Sequence, residues 1–369
     1  MPSSESPFKL MRTPRVVDIA ITSSCNLQCL YCYHFNNPEL DYKDLNAVEW
    51  QTFFKELGNL SIMSVCLAGG EPFVRKDLPE ILDGIVENRM RYSILSNGML
   101  INDKLAELVS LTGRCNGVQV SLDGSCPEIN DICRGAGSFA GAVRGIKILQ
   151  NYKIPVTVRV TISKYNLRDL DKTVQFLLDD LGIEFISTNS AGFLGSCKLN
   201  SENVQLDLLE RQEAMKALLN LAKKYKTRIG AAAGPLADAR IWREMENSRL
   251  NGAIVQGKGR LTGCGCAFSK IAVRSDGAIV PCNMLSHIIL GWINKDSLQD
   301  IWQCSSELNR IRSRSKIALD EFVQCKGCKY VSYCTGNCPG LGYNLTGNIY
   351  SPSPDACLKD YLAAGGVIP

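Results

Sequence analysis

Three cysteines spaced CxxxCxxC, in Cys25-Asn-Leu-Gln-Cys29-Leu-Tyr-Cys32, follow closely on the apolar run Val16 to Ile21. Three thiolates are one ligand short of the irons in a cubic four-iron cluster, so one iron is left for another molecule to bind. The competing reading is a zinc site or a redox dithiol, and zinc wants a further nitrogen or sulfur ligand close by. His34 could serve. The chain has only two histidines, His34 and His287, so Cys/His chemistry has little to draw on. Seventeen cysteines are many for a disulfide-free protein, yet disulfide scaffolds are small and secreted, and this chain has 369 residues. Metal is the better explanation.

With 45% hydrophobic residues the chain can bury one large or two moderate cores. Its 41 basic and 37 acidic side chains leave a net charge of +4 with no Lys/Arg run, which gives no case for nucleic acid or a membrane as partner. No stretch approaches the ~20 apolar residues of a membrane helix, and Met1 to Arg15 is too polar for a signal segment. A cytoplasmic protein is expected.

From Arg15 to about Tyr225, β-branched runs alternate with helical patterns. The expected strands are Val16 to Ile21, Met63 to Leu67, Tyr92 to Leu95, Val118 to Leu122, Val156 to Ile162 and Ile183 to Ser187. Asp77, with Pro79 behind it, is placed to cap a helix. Asn166 is placed to open another that Gly182 stops. Six strand-helix repeats imply a parallel α/β sheet, either open and doubly wound or curled into a partial barrel. Beyond a helical segment near Trp242 the pattern changes, and from Gly263 onward cysteines, glycines and short apolar pieces suggest a region organised by metal. The expected division is 1–235 and 236–369.

Gly69-Gly70-Glu71-Pro72 follows the second strand, where two glycines let backbone approach a ligand and leave carbonyls to accept from an ammonium. Ser96-Asn97-Gly98 ends strand three and Ser121-Leu-Asp123-Gly124 ends strand four, at the carboxyl ends where parallel sheets bind ligands. Taken singly, each reads equally well as a turn or a cap. Together with CxxxCxxC and the aromatic Tyr31 they resemble the radical S-adenosylmethionine (SAM) superfamily, whose fold is a partial (β/α)6 barrel. The resemblance implies that SAM binds the open iron through its amino and carboxylate groups and is cleaved by the reduced cluster to methionine and a 5'-deoxyadenosyl radical. It places Tyr31, Gly69, Gly70, Glu71, Ser96, Asn97, Ser121 and Asp123 around SAM. Arg134 would pair with the SAM carboxylate, which suits a guanidinium fork.

The later series Cys266-x10-Gly277-x4-Cys282 and Cys325-x2-Cys328-x5-Cys334-x3-Cys338, with a final Cys357, resembles the SPASM domain, a carrier of auxiliary iron-sulfur clusters. A zinc ribbon would need a second CxxC. By that resemblance Cys325, Cys328, Cys334 and Cys357 ligate a distal cluster, and Cys266, Cys282 and Cys338 a proximal one. Cys264 is available as the proximal cluster's fourth ligand or as the first cysteine of the motif. Three [4Fe-4S] clusters follow. Cys66, Cys115, Cys126, Cys133, Cys197 and Cys304 remain and read as small buried hydrophobes. Cys197, just past strand six, is in addition a candidate hydrogen-atom donor facing the active site.

Proteins of this kind include peptide maturases, sulfatase maturases and aminocyclitol dehydrogenases. Asn283 stands where sulfatase maturases have an aspartate base, and an amide cannot take up a proton at pH 7. Ala68 replaces their glutamine. Met90 to Asn97 and the stretch Leu341 to Pro369 look most like maturases of precursor peptides with nif11-like leaders, among them spliceases. The expected activity is therefore crosslinking, splicing or epimerisation of a ribosomally made precursor peptide. Only 24 residues precede Cys25, too few for a leader-recognition domain, so the leader is expected to be read by a separate leader-binding small protein or by the barrel itself, with a flavodoxin or ferredoxin as electron donor. A small-molecule (aminocyclitol or sugar) dehydrogenase or a sulfatase-maturase-like oxidation is the first alternative, and a zinc-binding interaction module the second.

Overall fold

The computed structural model describes residues 10–34, 43–262 and 265–369. Seven parallel strands run along the chain: β1 Val16–Thr22, β2 Ser64–Gly69, β3 Arg91–Ser96, β4 Cys115–Ser121, β5 Val156–Ile162, β6 Phe185–Ser190 and β7 Ile229–Ala231. Each of β1 to β6 overlaps an expected strand, and neighbours in sequence are neighbours in the sheet. In β1, Val17, Ile19 and Ile21 are fully buried towards the helices, while Asp18, Ala20 and Thr22 alternate to the other face. Residues from the ends of β2 to β6 all line a single cavity, so the sheet is curled into an open barrel rather than flat.

The helices between strands are α1 Ala47–Asn59, α2 Leu78–Glu87, α3 Asp103–Leu111, α4 Pro127–Arg134, α5 Ser138–Asn151 and α6 Leu170–Gln175. α7 Ser196–Val204 and α8 Leu208–Tyr225 follow β6, and α9 Pro235–Leu250 follows β7. The first shows why they form. Asn46 and Glu49 cap each other's backbone N–H groups at 3.0 and 2.9 Å, and Trp50, Phe53, Phe54 and Leu57 then recur at helical spacing on one buried face. Asn166 stands where a helix start is expected but caps nothing. Its amide instead donates to the carbonyls of Asp123 and Thr161, tying the ends of β4 and β5 together.

The cysteine-rich region extends the same sheet. β8 Lys270–Val273 pairs in parallel with β1, and β9 Ala278–Val280 and β10 Gly291–Trp292 continue as antiparallel strands. The β8–β9 turn is Asp276-Gly277, with Gly277 at φ 89°, a conformation that suits glycine. Four short helices complete the chain: α10 Leu298–Cys304, α11 Ser306–Ser313, α12 Pro339–Thr346 and α13 Leu358–Ala363. The residue-235 division falls at the first residue of α9, which packs on α8 and β6. No helix among the described residues is long and apolar enough to cross a membrane.

Candidate active site

A cavity of about 270 Å³ opens at the carboxyl ends of the barrel strands, with Cys25, Cys29 and Cys32 on its wall. The loop carrying them is shaped by its own backbone: Cys32 N donates to Cys29 O at 3.0 Å and Leu27 N to Cys25 Sγ at 3.4 Å. Burial pushes the Cys29 thiol up to about 12 and also raises Cys25, with the neighbouring thiols adding to both shifts. Protonated thiols are poor ligands, so this loop holds thiolates only with a cationic group to compensate them.

The loop is gripped from two sides. Gly69 and Gly70, at the end of β2, lie so close that a Cβ on them would stand 2.2 Å from Thr22 O and 2.1 Å from Ser24 O. On the other side a Cβ on Gly195, at φ 54°, would stand 2.5 Å from Cys32 O, and Ser196 N donates to that carbonyl at 2.8 Å. Both glycine contacts require the absence of a side chain.

Ser96, Asn97, Ser121 and Arg134 also line the cavity, with Tyr31. Asn97 donates to Cys25 Sγ at 3.8 Å and to Asn26 Oδ1 at 2.8 Å. Glu71 and Asp123 stand one layer back. The Glu71 carboxylate, 1% exposed, accepts from Phe73 N, Ser96 Oγ and Asn97 N at 3.1, 2.9 and 2.6 Å, and burial pushes its pKa up to about 7. Asp123 accepts from Arg134 Nε at 2.6 Å, from the Tyr31 hydroxyl and from Thr161 N at 2.7 Å. One buried carboxylate thus joins the cysteine loop, α4 and β5.

Cys197 lies elsewhere. Its side chain is fully buried with Ala191 and Val204, with Leu30, Tyr31 and Tyr165 packed against that cluster, and burial pushes its thiol up to about 11. It is not on the cavity wall, because the first turn of α7 folds it under the loop it follows. His34 is also turned away, its Nε2 against Ser23 O at 2.9 Å.

The wall contains residues that motif reading missed: Gln119 on β4, Arg159 and Thr161 on β5, and Asn189 and Ser190 on β6. A signal was present in β5, where Thr157, Arg159 and Thr161 put polar groups at alternate positions of a β-branched strand.

In the cysteine-rich region burial pushes the Cys325 thiol up to about 11 and raises Cys334, and Cys328 lies near enough to both to add to each shift. Cys328 and Cys334 pack on the cluster holding Leu358, next to Cys357 at the start of α13. Cys282 and Cys338 head two turns in close contact, where a Cβ on Gly340 would meet Met284 Cβ at 2.7 Å. Cys266 is buried beside β8, and Cys264 lies outside the described residues. Among the described residues no three Cys, His, Asp or Glu side chains converge on a single-ion site. Three thiols around an open cavity suit a thiolate-bound cluster with room beside it better than one ion.

Residues 19–177 match the model of the radical SAM superfamily, and residues 264–329 match that of SPASM, an iron-sulfur cluster-binding domain. The chain belongs to the radical SAM/SPASM superfamily. An AdoMet-dependent heme synthase of Methanosarcina barkeri is 25% identical over 353 residues, 94% of this chain and 97% of the relative. The mycofactocin maturase MftC of Mycobacterium ulcerans is 34% identical over 152 residues, 41% of each chain. The crystal structure of Streptococcus suis SuiB bound to S-adenosylmethionine superposes with a TM-score of 0.72 at 17% identity, covering 95% of this chain and 78% of SuiB. This radical SAM/SPASM enzyme uses [4Fe-4S] chemistry and SAM. When bound, a cluster with one open iron coordinates SAM and delivers the electron for its cleavage.

Proposed function

We propose that this radical SAM/SPASM enzyme abstracts a hydrogen atom from a ribosomally made precursor peptide and so directs its crosslinking, splicing or epimerisation. The observation that carries the reading is the convergence of the three thiols, the Gly69-Gly70 turn and the polar ends of β3 to β6 on one cavity. Cys25, Cys29 and Cys32 hold the SAM-binding cluster. The backbone at Gly69 and Gly70 takes the SAM ammonium, with Ser96, Asn97 and Ser121 along the rest of the molecule. Glu71 acts through Ser96 and Asn97, which it orients. Asp123 acts through Tyr31 and the cysteine loop, and Arg134, which it holds on the cavity wall, pairs with the SAM carboxylate. Two auxiliary clusters, on Cys325, Cys328, Cys334 and Cys357 and on Cys264, Cys266, Cys282 and Cys338, bring the total to three. Cys197 is left out, being sealed from the cavity.

A peptide substrate is supported by the likeness to MftC and by SuiB, which was also solved bound to its precursor peptide SuiA. The leader is read by a separate small protein or by the barrel itself, and the electron comes from a flavodoxin or ferredoxin, in the cytoplasm. The heme synthase, which this chain matches over 94% of its length, favours a second reading in which the substrate is a tetrapyrrole. Anaerobic incubation with SAM and reductant, against peptides encoded near the gene and against coproporphyrin III, decides between them by mass spectrometry. A SAM-dependent mass change, or deuterium uptake from heavy water, in a peptide supports the proposal. A change in the porphyrin alone overturns it in favour of the second reading.

A further inference from the structure

Among the described residues the cavity wall carries two guanidinium groups and no carboxylate. Arg134 is compensated by its ion pair with Asp123. Arg159 is not. Its Nε and Nη2 donate to the amide oxygen Oε1 of Gln119 at 3.2 and 3.0 Å, and no acidic group among the described residues pairs with it. Burial lowers its pKa, and no carboxylate offsets that shift. A half-buried cation held only by a neutral amide is costly to keep unless an occupant of the cavity supplies the opposite charge. On the next strand, Asn189 Oδ1 is buried on the same wall with no hydrogen-bond partner, and Asn189 is in register with Thr161. Among the described residues the β4 to β6 wall is therefore short of one anion and one hydrogen-bond donor, while no buried side-chain nitrogen or oxygen on the cysteine-loop side lacks a partner.

We infer that Arg159, braced by Gln119, binds a carboxylate of the substrate. The inference rests on the reading of this cavity as the substrate chamber. Gln119 fixes the plane of the guanidinium while Nη1, which makes no hydrogen bond to the described residues, is left for a planar carboxylate. SAM carries a carboxylate too, on the same carbon as its ammonium. With the ammonium at the end of β2 that carboxylate stays on the cysteine-loop side, whereas Arg159 rises three strands away, roughly 14 Å of wall at ~4.8 Å per strand. Both substrate readings meet the requirement, since a peptide offers an acidic side chain or its C-terminus and a porphyrin offers propionates.

The test uses the anaerobically reconstituted holoenzyme and two probe pairs, coproporphyrin III against its tetramethyl ester and acetyl-tyrosine against its amide. For each pair the ratio of dissociation constants is measured in wild type, Arg159→Gln and Arg159→Lys, together with SAM binding by equilibrium dialysis. In at least one pair the wild type should prefer the acid by about tenfold or more, as expected for a charge-assisted hydrogen bond. Arg159→Gln should erase that preference and Arg159→Lys keep part of it, with SAM binding changed by less than about threefold. An unchanged preference in Arg159→Gln overturns the inference, as does a wild type indifferent to the carboxylate in both pairs. A preference that survives while SAM binding falls tenfold also overturns it and gives Arg159 to the SAM carboxylate. Release of 5'-deoxyadenosine from the same samples reports separately on the radical SAM reading.

Discussion

The two sides of the cavity are built differently. On the β1 to β3 side, glycines press backbone against the cysteine loop and Glu71 satisfies the neighbouring donors, while Asp123, just past β4, ties that loop to β5. On the β4 to β6 side, Arg159 has no counter-charge and Asn189 Oδ1 no donor among the described residues. A fully bonded wall suits a group that is always the same, held in one geometry. An incompletely bonded wall suits a ligand that arrives with the missing charge and donor. Preorganisation on one side and open polar valence on the other is what a cofactor site facing a substrate site requires.

Variants on the bonded side should have the larger effects. Replacing Cys25, Cys29 and Cys32 by alanine should lower the iron content from about twelve to about eight per chain, because only the SAM-side cluster is lost. Iron and zinc analysis of both proteins is the check, and fewer than about six irons with stoichiometric zinc in the wild type would contradict the account. Asp123→Ala comes next, since it leaves Arg134 buried without its partner, both side chains being under 8% exposed. A cost of about 3–5 kcal/mol is expected in denaturant unfolding. Stability within about 1 kcal/mol of wild type would mean that the pair is not a structural joint.

Gly70→Ala places a methyl 2.1 Å from Ser24 O, so backbone must move. About 1–3 kcal/mol of stability should be lost, together with weaker SAM binding. Retained SAM affinity would show that the cysteine loop is looser than its contacts imply. The smallest effect is expected at Cys197. Cys197→Ala removes one buried sulfur, costs on the order of 1 kcal/mol, and should leave deuterium incorporation into product unchanged. Loss of deuterium at the product carbon would restore the thiol as hydrogen donor.

The contrast also marks what could be read from the chain. The cysteine loop, Gly69-Gly70 and the strand ends were legible because spacing and turn chemistry are local properties. Arg159 and Asn189 were not, since their significance lies in partners they lack, which only the assembled barrel reveals. Cys197 was expected to face the cavity from its place after β6, but it sits in the first turn of α7 and packs with Ala191 and Val204, because the fold of α7 decides its direction. The strands β8 to β10 were missed for another reason. They are two to four residues long, and β8 finds its place beside β1, some 250 residues earlier in the chain. Their one local signal, the Asp276-Gly277 turn, was readable.

Release of 5'-deoxyadenosine by the reconstituted enzyme, given SAM and dithionite, tests the central claim most directly when wild type and the Cys25, Cys29 and Cys32 triple alanine variant are compared. The wild type should release it and the variant should not, although the variant keeps its remaining iron. Equal release by both would place SAM cleavage away from this cavity and contradict the account.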